Sequence, residues 1–348
     1  MKQSYFSWLS QSTNSEWNND SALFEQVENA VNQGAIGCTT NPPLSYEALS
    51  TETDFYGESL AAIDKTLPDD EYAMQAMMLV VERWAKYFAE LYEKRGTYYG
   101  CVRAQVAPNL RYDAQGMLDA GKRLAKIGKN VMIKIPGTKA GIWALEELAA
   151  LGIPTNPTVI TTVAQAIAAA EAFDRGCERA KAAGITPAWS NCAIVMGRAQ
   201  DYFTALNKER NLGLSDEDLS WAALAITKRC YAIYKSKGYL SGLMPAAFRA
   251  PLQVEQLAGA EVFSTIHPKV QVAVIAADEA GKIKRENLAD APLNTDAVER
   301  VAKALPEFVQ AYEPDGLTLN DFDSYGAVVM TLNGFDKEGW QKLISLKY

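Results

Sequence analysis

Lys134 stands in an apolar run, Asn130-Val131-Met132-Ile133-Lys134-Ile135-Pro136, which Pro136 and Gly137 bring to a stop. The composition of the run predicts a strand. Thr138 is placed to cap a following helix in which Ile142, Leu145 and Leu148 recur at helical spacing. A lysine inside such a strand is expensive, because burial disfavours the ammonium form and lowers its pKa. The expense has a use if the amine must be a neutral nucleophile. The alternative is a lysine whose tip reaches a carboxylate or solvent at the strand end. The neighbouring Gly137-Thr138-Lys139-Ala140-Gly141 does not have the spacing of a phosphate loop.

The other reactive residue types are sparse. His267 is the single histidine and Pro268 follows it, so a multi-histidine metal centre is not expected. A Ser-His-Asp triad finds no nucleophile-elbow glycines, and His267 reads as structural. The chemistry must then run on lysine, carboxylates, amides, hydroxyls or tyrosine. Arg198 and Arg249 would suit a phosphate, because a guanidinium offers a fixed fork of donors; surface ion pairing is the alternative. Asn41 and Asn156 lie beside prolines, where turn chemistry is the alternative to a binding role. The five cysteines are widely spaced without a CxxC pair, which fits reduced thiols in a cytoplasmic protein.

These residues need a frame. The 348 residues are 48% hydrophobic and 22% charged, enough for a large core, as one barrel-sized domain or two smaller ones. The net charge of -8, with no basic block, gives no support to nucleic-acid or membrane-surface binding. Residues 1–10 lack the basic and apolar regions of a signal peptide, and no apolar run is long enough to span a bilayer. Strands are predicted at 4–10, 34–43, 100–106, around Lys134, and at 152–158, 186–196, 239–249 and 261–266. Helices are predicted at 71–94, 114–126, 162–173 and 216–237, with a helical tail around 295–312 and 337–346. The polar stretch 11–20 reads as a loop. Eight strand–helix alternations without a linker or repeat predict one domain over 1–348. It is an α/β fold, a single (β/α)8 TIM-type barrel with a helical insertion; the core spans about 4–280 and a C-terminal helical extension about 281–348. A doubly wound open sheet is the alternative, weakened by the lack of a GxGxxG after the first strand. In a barrel the strand ends converge, bringing together Ser10, Thr39, Thr40, Asn41, Gln105, Lys134, Asn156, Thr158, Arg198, Arg249 and His267. That ring has one lysine and two arginines but no obvious carboxylate.

In register, these segments resemble the transaldolase family of class I aldolases, from about residue 4 to about 280. Thr39-Thr40-Asn41-Pro42 with Leu44 is similar to its Thr-Thr/Ser-Asn-Pro-Ser-Leu signature. Ile133-Lys134-Ile135-Pro136 with Gly141-Ile142 resembles the segment around its Schiff-base lysine, and Gly197-Arg198 and Ala246-Ala247-Phe248-Arg249 resemble its sixth- and seventh-strand arginine motifs. The resemblance implies that Lys134 forms a Schiff base with a ketose phosphate and retains a dihydroxyacetone unit as an enamine. Transaldolases pass that unit to an aldose phosphate; the related fructose-6-phosphate aldolases release it. It also implies that Thr39, Asn41, Asn156, Thr158, Arg198 and Arg249 bind substrate. No metal or dissociable cofactor is needed, and the family's barrels are often homo-oligomers.

The departures concern proton handling. The family aspartate near the end of strand one aligns with Ser10, and the strand-three glutamate with Gln105, which is closer to the fructose-6-phosphate aldolase branch. The tyrosine of that branch is Val195 here, and serines expected near the phosphate are Ala193 and Ala247. A serine does not readily lose its proton near neutral pH, so Asp20 or another acid from the first loop is an alternative to Ser10. Lys134, Gln105 and Ser10 are the expected catalytic positions. A lyase, or a non-catalytic sugar-phosphate-binding protein on the same scaffold, stands as the alternative function.

Overall fold

The computed structural model describes residues 3–348; Met1 and Lys2, the start of the stretch read for a signal peptide, lie outside it. Eight short strands run through the chain: β1 (Glu16–Asn19), β2 (Gly37–Thr40), β3 (Cys101–Gln105), β4 (Val131–Pro136), β5 (Thr155–Thr158), β6 (Asn191–Ile194), β7 (Gly242–Pro245) and β8 (Phe263–Ile266). Six form a curled parallel sheet in the order β5-β4-β3-β2-β1-β8, and β6 pairs in parallel with β7. Isolated parallel bridges at Thr155↔Ser190 and Ile160↔Ile194 connect β5 to the β6 segment. The fold is therefore α/β, with helices between successive strands as the alternation predicted.

The first strand is the main correction. Residues 4–10, read as a strand, are the start of the helix Tyr5–Ser12. The Ser4 side chain caps it by accepting from the Ser7 backbone N–H, and Tyr5, Phe6 and Leu9 bury one face. The strand lies instead inside the polar stretch 11–20. Its polarity misled because Asn18 and Asn19 are buried with partners: Asn18 donates to the Phe263 and Ser264 carbonyls, and Asn19 accepts from Gln271. Arg198 also moves, from a strand end to the first turn of the helix Met196–Arg210.

The insertion consists of the helices Pro42–Thr51, Thr53–Ala61 and Asp69–Arg95, between β2 and β3. Met74 and Met77 of the last are core residues, packed with Val80, Val81 and Trp84. At the C-terminus, Pro306 divides the predicted 295–312 helix in two. The helix Gly326–Phe335 then passes through a π-helical turn, Asp336–Trp340, into Gln341–Ser345. Trp340 and Leu343 are fully buried in the same cluster as the insertion helices, and the Trp340 indole donates to Asp70 at 2.7 Å. The C-terminal segment thus shares a core with the sheet. Trp340→Ala is expected to cost about 3–5 kcal/mol and to lower the midpoint of a single cooperative urea transition. Separate melting of the tail in circular dichroism would contradict a shared core.

Candidate active site

Strand register sets the central row. Gln105 pairs with Lys134 and Lys134 with Asn156, so the three share one face of the sheet; Thr39 pairs with Arg103 on the same face. Residues between them, Cys38, Val102, Ala104, Ile133 and Ile135, pack on the other face against the helices. One face of the curled sheet is oily and the other carries this polar row.

Lys134 is only 4% exposed. Among the described residues it has no hydrogen-bond or ion-pair partner. Burial is the largest influence on its amine and pushes the pKa down to about 8; the Asp20 carboxylate opposes that, while the Arg103 and Arg198 charges add to it. The neutral amine is thus populated near physiological pH, as an amine nucleophile requires.

Asp20 immediately follows β1, at the strand end that the sequence reading gave to Ser10. Its backbone N–H donates to the Ile266 carbonyl at 3.1 Å, and its carboxylate accepts from the Thr39 hydroxyl. Ser10 stands elsewhere, on the helix Tyr5–Ser12, with its hydroxyl donating to the Gly34 carbonyl at 3.3 Å. Ser10 is therefore no part of this site; the helical spacing of Tyr5, Phe6 and Leu9 was the signal that would have shown it.

A cavity of about 400 Å³ opens beside these residues, and Asp20, Asn41, Arg198, Arg249, His267 and Phe335 contribute to its lining. Asp20 is the one carboxylate among the lining residues. Asn41 also caps the helix Pro42–Thr51, its Oδ1 accepting from the Leu44 backbone at 3.2 Å. His267 caps the helix Pro268–Glu279 by accepting from the Lys269 N–H, as its structural reading implied. The Asp201 carboxylate holds the arginines together: it accepts from Arg249 Nε and Nη2 at 2.9 and 2.6 Å and lies 3.7 Å from Arg198 Nη1. Burial and the Arg249 charge lower the pKa of Arg198. Two guanidiniums sharing one carboxylate leave a net positive wall, suited to a phosphate.

The backbone around the arginines is tightly built. Ala247 has φ +58°, a left-handed conformation that costs an alanine free energy. Its carbonyl accepts from Arg249 Nη1 at 3.0 Å and lies so close to Gly197 that a Cβ there would meet it at 1.7 Å. Deeper in, Gln105 Oε1, Asn156 Oδ1 and Thr158 Oγ1 are buried without a protein partner. The Asn156 amide nitrogen is engaged with Asn191. Atoms in this state are ready acceptors for hydroxyl groups entering the site. Thr39, Gln105, Lys134, Asn156 and Thr158 thus share a neighbourhood with Asn41, Arg198 and Arg249 at the cavity. The sequence reading missed Asp20's position, the Thr39–Asp20 contact, Asp201, Phe335 and Arg103.

The Transaldolase/Fructose-6-phosphate aldolase family model matches residues 18–323. The chain is similar to "Transaldolase" of Thiobacillus denitrificans, 31% identical over 62% of this chain and 60% of the relative. It is 32% identical to "Transaldolase" of Neisseria meningitidis over 59% of this chain and 58% of the relative. "Transaldolase 1" of Streptomyces coelicolor is 27% identical over 82% of this chain and 81% of the relative. The chain thus spans less than two thirds of the length of the Thiobacillus and Neisseria relatives. Among the described residues no helix is long and apolar enough to cross a membrane.

Two outcomes follow from this geometry. The unfolded chain holds the Lys134 proton up to the ordinary lysine value of 10.5, whereas the folded chain releases it from about 8. Stability therefore rises with pH across that interval, and below it the buried ammonium is a full cost. Lys134→Met is expected to stabilise the protein at pH 7 by on the order of 3 kcal/mol, a gain that fades as the pH rises towards the upper value. Urea melts at pH 7, 9 and 10.5 measure it. Gly197→Ala sets a methyl group against the Ala247 carbonyl and the Arg249 guanidinium and is expected to weaken inorganic phosphate binding at least about tenfold by calorimetry.

Proposed function

Because this chain belongs to the Transaldolase/Fructose-6-phosphate aldolase family, we propose that it is a Schiff-base enzyme that takes a dihydroxyacetone unit from a ketose phosphate. The observation that carries the reading is Lys134: a buried amine without a partner among the described residues, its pKa lowered to about 8, beside a cavity with two arginines and one carboxylate. Its strand four position and the alternation support one domain, in which the six-stranded sheet and the β6–β7 pair are arcs of a single eight-stranded barrel. The bridges between β5 and β6, and the Phe263 ring against Gly242, support that closure. The free state of all five cysteines supports a reducing, cytoplasmic setting.

In the proposed reaction the neutral Lys134 amine adds to the C2 carbonyl, and loss of water leaves an iminium. Asp20 accepts the C4 hydroxyl proton as the C3–C4 bond breaks. The bond's electron pair passes into the iminium, leaving an enamine on Lys134 and releasing an aldehyde. The enamine then adds to an acceptor aldehyde, or takes a proton at C3, and water frees the amine. Asn156, Thr158 and Asn41 hydrogen-bond the hydroxyls of the retained unit, and Thr39 orients Asp20. Arg198 and Arg249 hold the phosphate. Gln105 accepts a hydrogen bond beside the amine. A carboxamide cannot take up a proton there as a carboxylate would. That residue is what favours the second reading, a lyase that releases dihydroxyacetone. Asp20 weakens the motive for a non-catalytic binding protein, which rested partly on Ser10.

Borohydride reduction with fructose 6-phosphate, followed by peptide mapping, tests this. A dihydroxyacetone-sized adduct on Lys134, absent in Lys134→Met, is expected. Asp20→Asn is expected to slow cleavage about 10²–10⁴-fold and to trap the whole sugar instead. Binding without any adduct in the unaltered protein would overturn the reading. Product formation without an added aldose acceptor would decide for the lyase.

A further inference from the structure

Arg103 takes no part in the reaction proposed above, yet its position is costly. It lies on β3, two residues before Gln105, and shares the inward row of Thr39 and Lys134. Its side chain is completely buried. Nη1 donates to Asn18 Oδ1 and to the Cys101 carbonyl, while Nε and Nη2 have no protein partner. No carboxylate lies within ion-pair distance of it among the described residues. A buried guanidinium without a counter-ion costs several kcal/mol in general. A neutral side chain would fill the same space at less expense, so a packing role alone does not account for it.

Geometry suggests what the charge acts on. Gln105 is the register partner of Lys134, so the Arg103 backbone lies one pleat, about 7 Å, down the strand from the position opposite Lys134. Both side chains are buried, the Arg103 charge acts on the amine, and at about that separation a fixed charge in a protein interior is worth one to a few kcal/mol. We propose that Arg103 is a positioning residue for the chemistry of Lys134: a fixed positive charge under the amine that keeps it unprotonated and nucleophilic. Asn18, anchored to β8 through the Phe263 and Ser264 carbonyls, holds the guanidinium in place.

The groups facing Lys134 from the surrounding elements act in both directions. Asp20, after β1, favours the ammonium form; Arg103 on β3 and Arg198 on the helix Met196–Arg210 disfavour it. Gln105 on β3, Asn156 on β5 and Thr39 on β2 are uncharged. Asp20 and Arg198 line the cavity, where a bound ligand reaches them, whereas Arg103 is fully buried and is not among its lining residues. Its contribution is therefore the one that substrate binding does not change. This inference concerns the proposed nucleophile, and the test needs no sugar, so it separates from failure of the aldol reading.

Inorganic cyanate carbamylates only the neutral form of an amine. The rate at Lys134, read by peptide mass mapping across pH 6–10.5 with Lys134→Met as blank, reports its protonation directly. The expected midpoint near pH 8 moves up by about one pH unit in Arg103→Met, a roughly tenfold loss of reactive amine at pH 7. Arg103→Lys keeps the original midpoint. Asn18→Asp sets a carboxylate against the guanidinium with almost no change of shape. It should raise the midpoint in the same direction, and it carries the test if Arg103→Met does not fold. A merely structural Arg103 would change thermal stability and leave the midpoint in place. An unchanged midpoint in a folded Arg103→Met or Asn18→Asp protein overturns the proposal.

Discussion

The structure turns on the cost of keeping one amine out of water. Lys134 is buried and, among the described residues, has no hydrogen-bond or ion-pair partner. Its ammonium form is penalised by desolvation before any neighbouring charge is counted. That penalty has to be sustained by the rest of the fold. The outer face of β3 and β4 supplies the means, with Val102, Ala104, Ile133 and Ile135 packed against helices in one large apolar cluster. The two faces of the same strands thus have opposite duties. One contributes burial energy, and the other holds polar atoms in states that water would not leave unsatisfied.

Charge is arranged around the amine in two layers. The cavity layer holds Asp20, Arg198 and Arg249, with Asp201 keeping the arginines apart from each other's full repulsion. These groups are partly exposed, so solvent and ligand both modulate them. The buried layer holds Arg103 and the amides of Asn18, Gln105 and Asn156. Here solvent screening is weaker than at the cavity, so the Arg103 charge acts on its neighbours more strongly than a surface charge would. The strained φ of Ala247 and the contact that excludes a Cβ at Gly197 belong to the outer layer, where backbone geometry fixes how Arg249 is presented.

The C-terminal segment joins this arrangement rather than decorating it. The helix Gly326–Phe335 ends with the Phe335 ring at the cavity, its centre 5.8 Å from the Arg198 guanidinium, while Trp340 at the end of the π-helical turn is anchored in the core of the insertion. Gly339 lies against Pro42 and Pro43, beside Asn41. The insertion and the tail, far apart in sequence, therefore shape one wall of the cavity together.

Local sequence carried much of this. Apolar runs of strand composition and their stops located β3, β4 and β8 to within a residue or two, and the helix Asp216–Lys237 was legible from end to end. Lys134 stood out because a charged residue inside a buried strand breaks the local rule, and rules broken locally mark function. The strand–helix alternation was sufficient to expect an α/β fold. What sequence left undecided depended on contacts between distant segments. β1 reads as a loop because its asparagines are polar, and only the Phe263 and Ser264 carbonyls and Gln271 make their burial affordable. Asp20 could not be assigned until that strand was found, and Ser10 took its place by default. Arg103 is an unremarkable residue in a five-residue strand until packing buries it with no acid at ion-pair distance among the described residues. Residue type and spacing determined which atoms could react; tertiary packing decided which were dry, which were paired and which charge each one feels, because those properties belong to the enclosure and not to the chain.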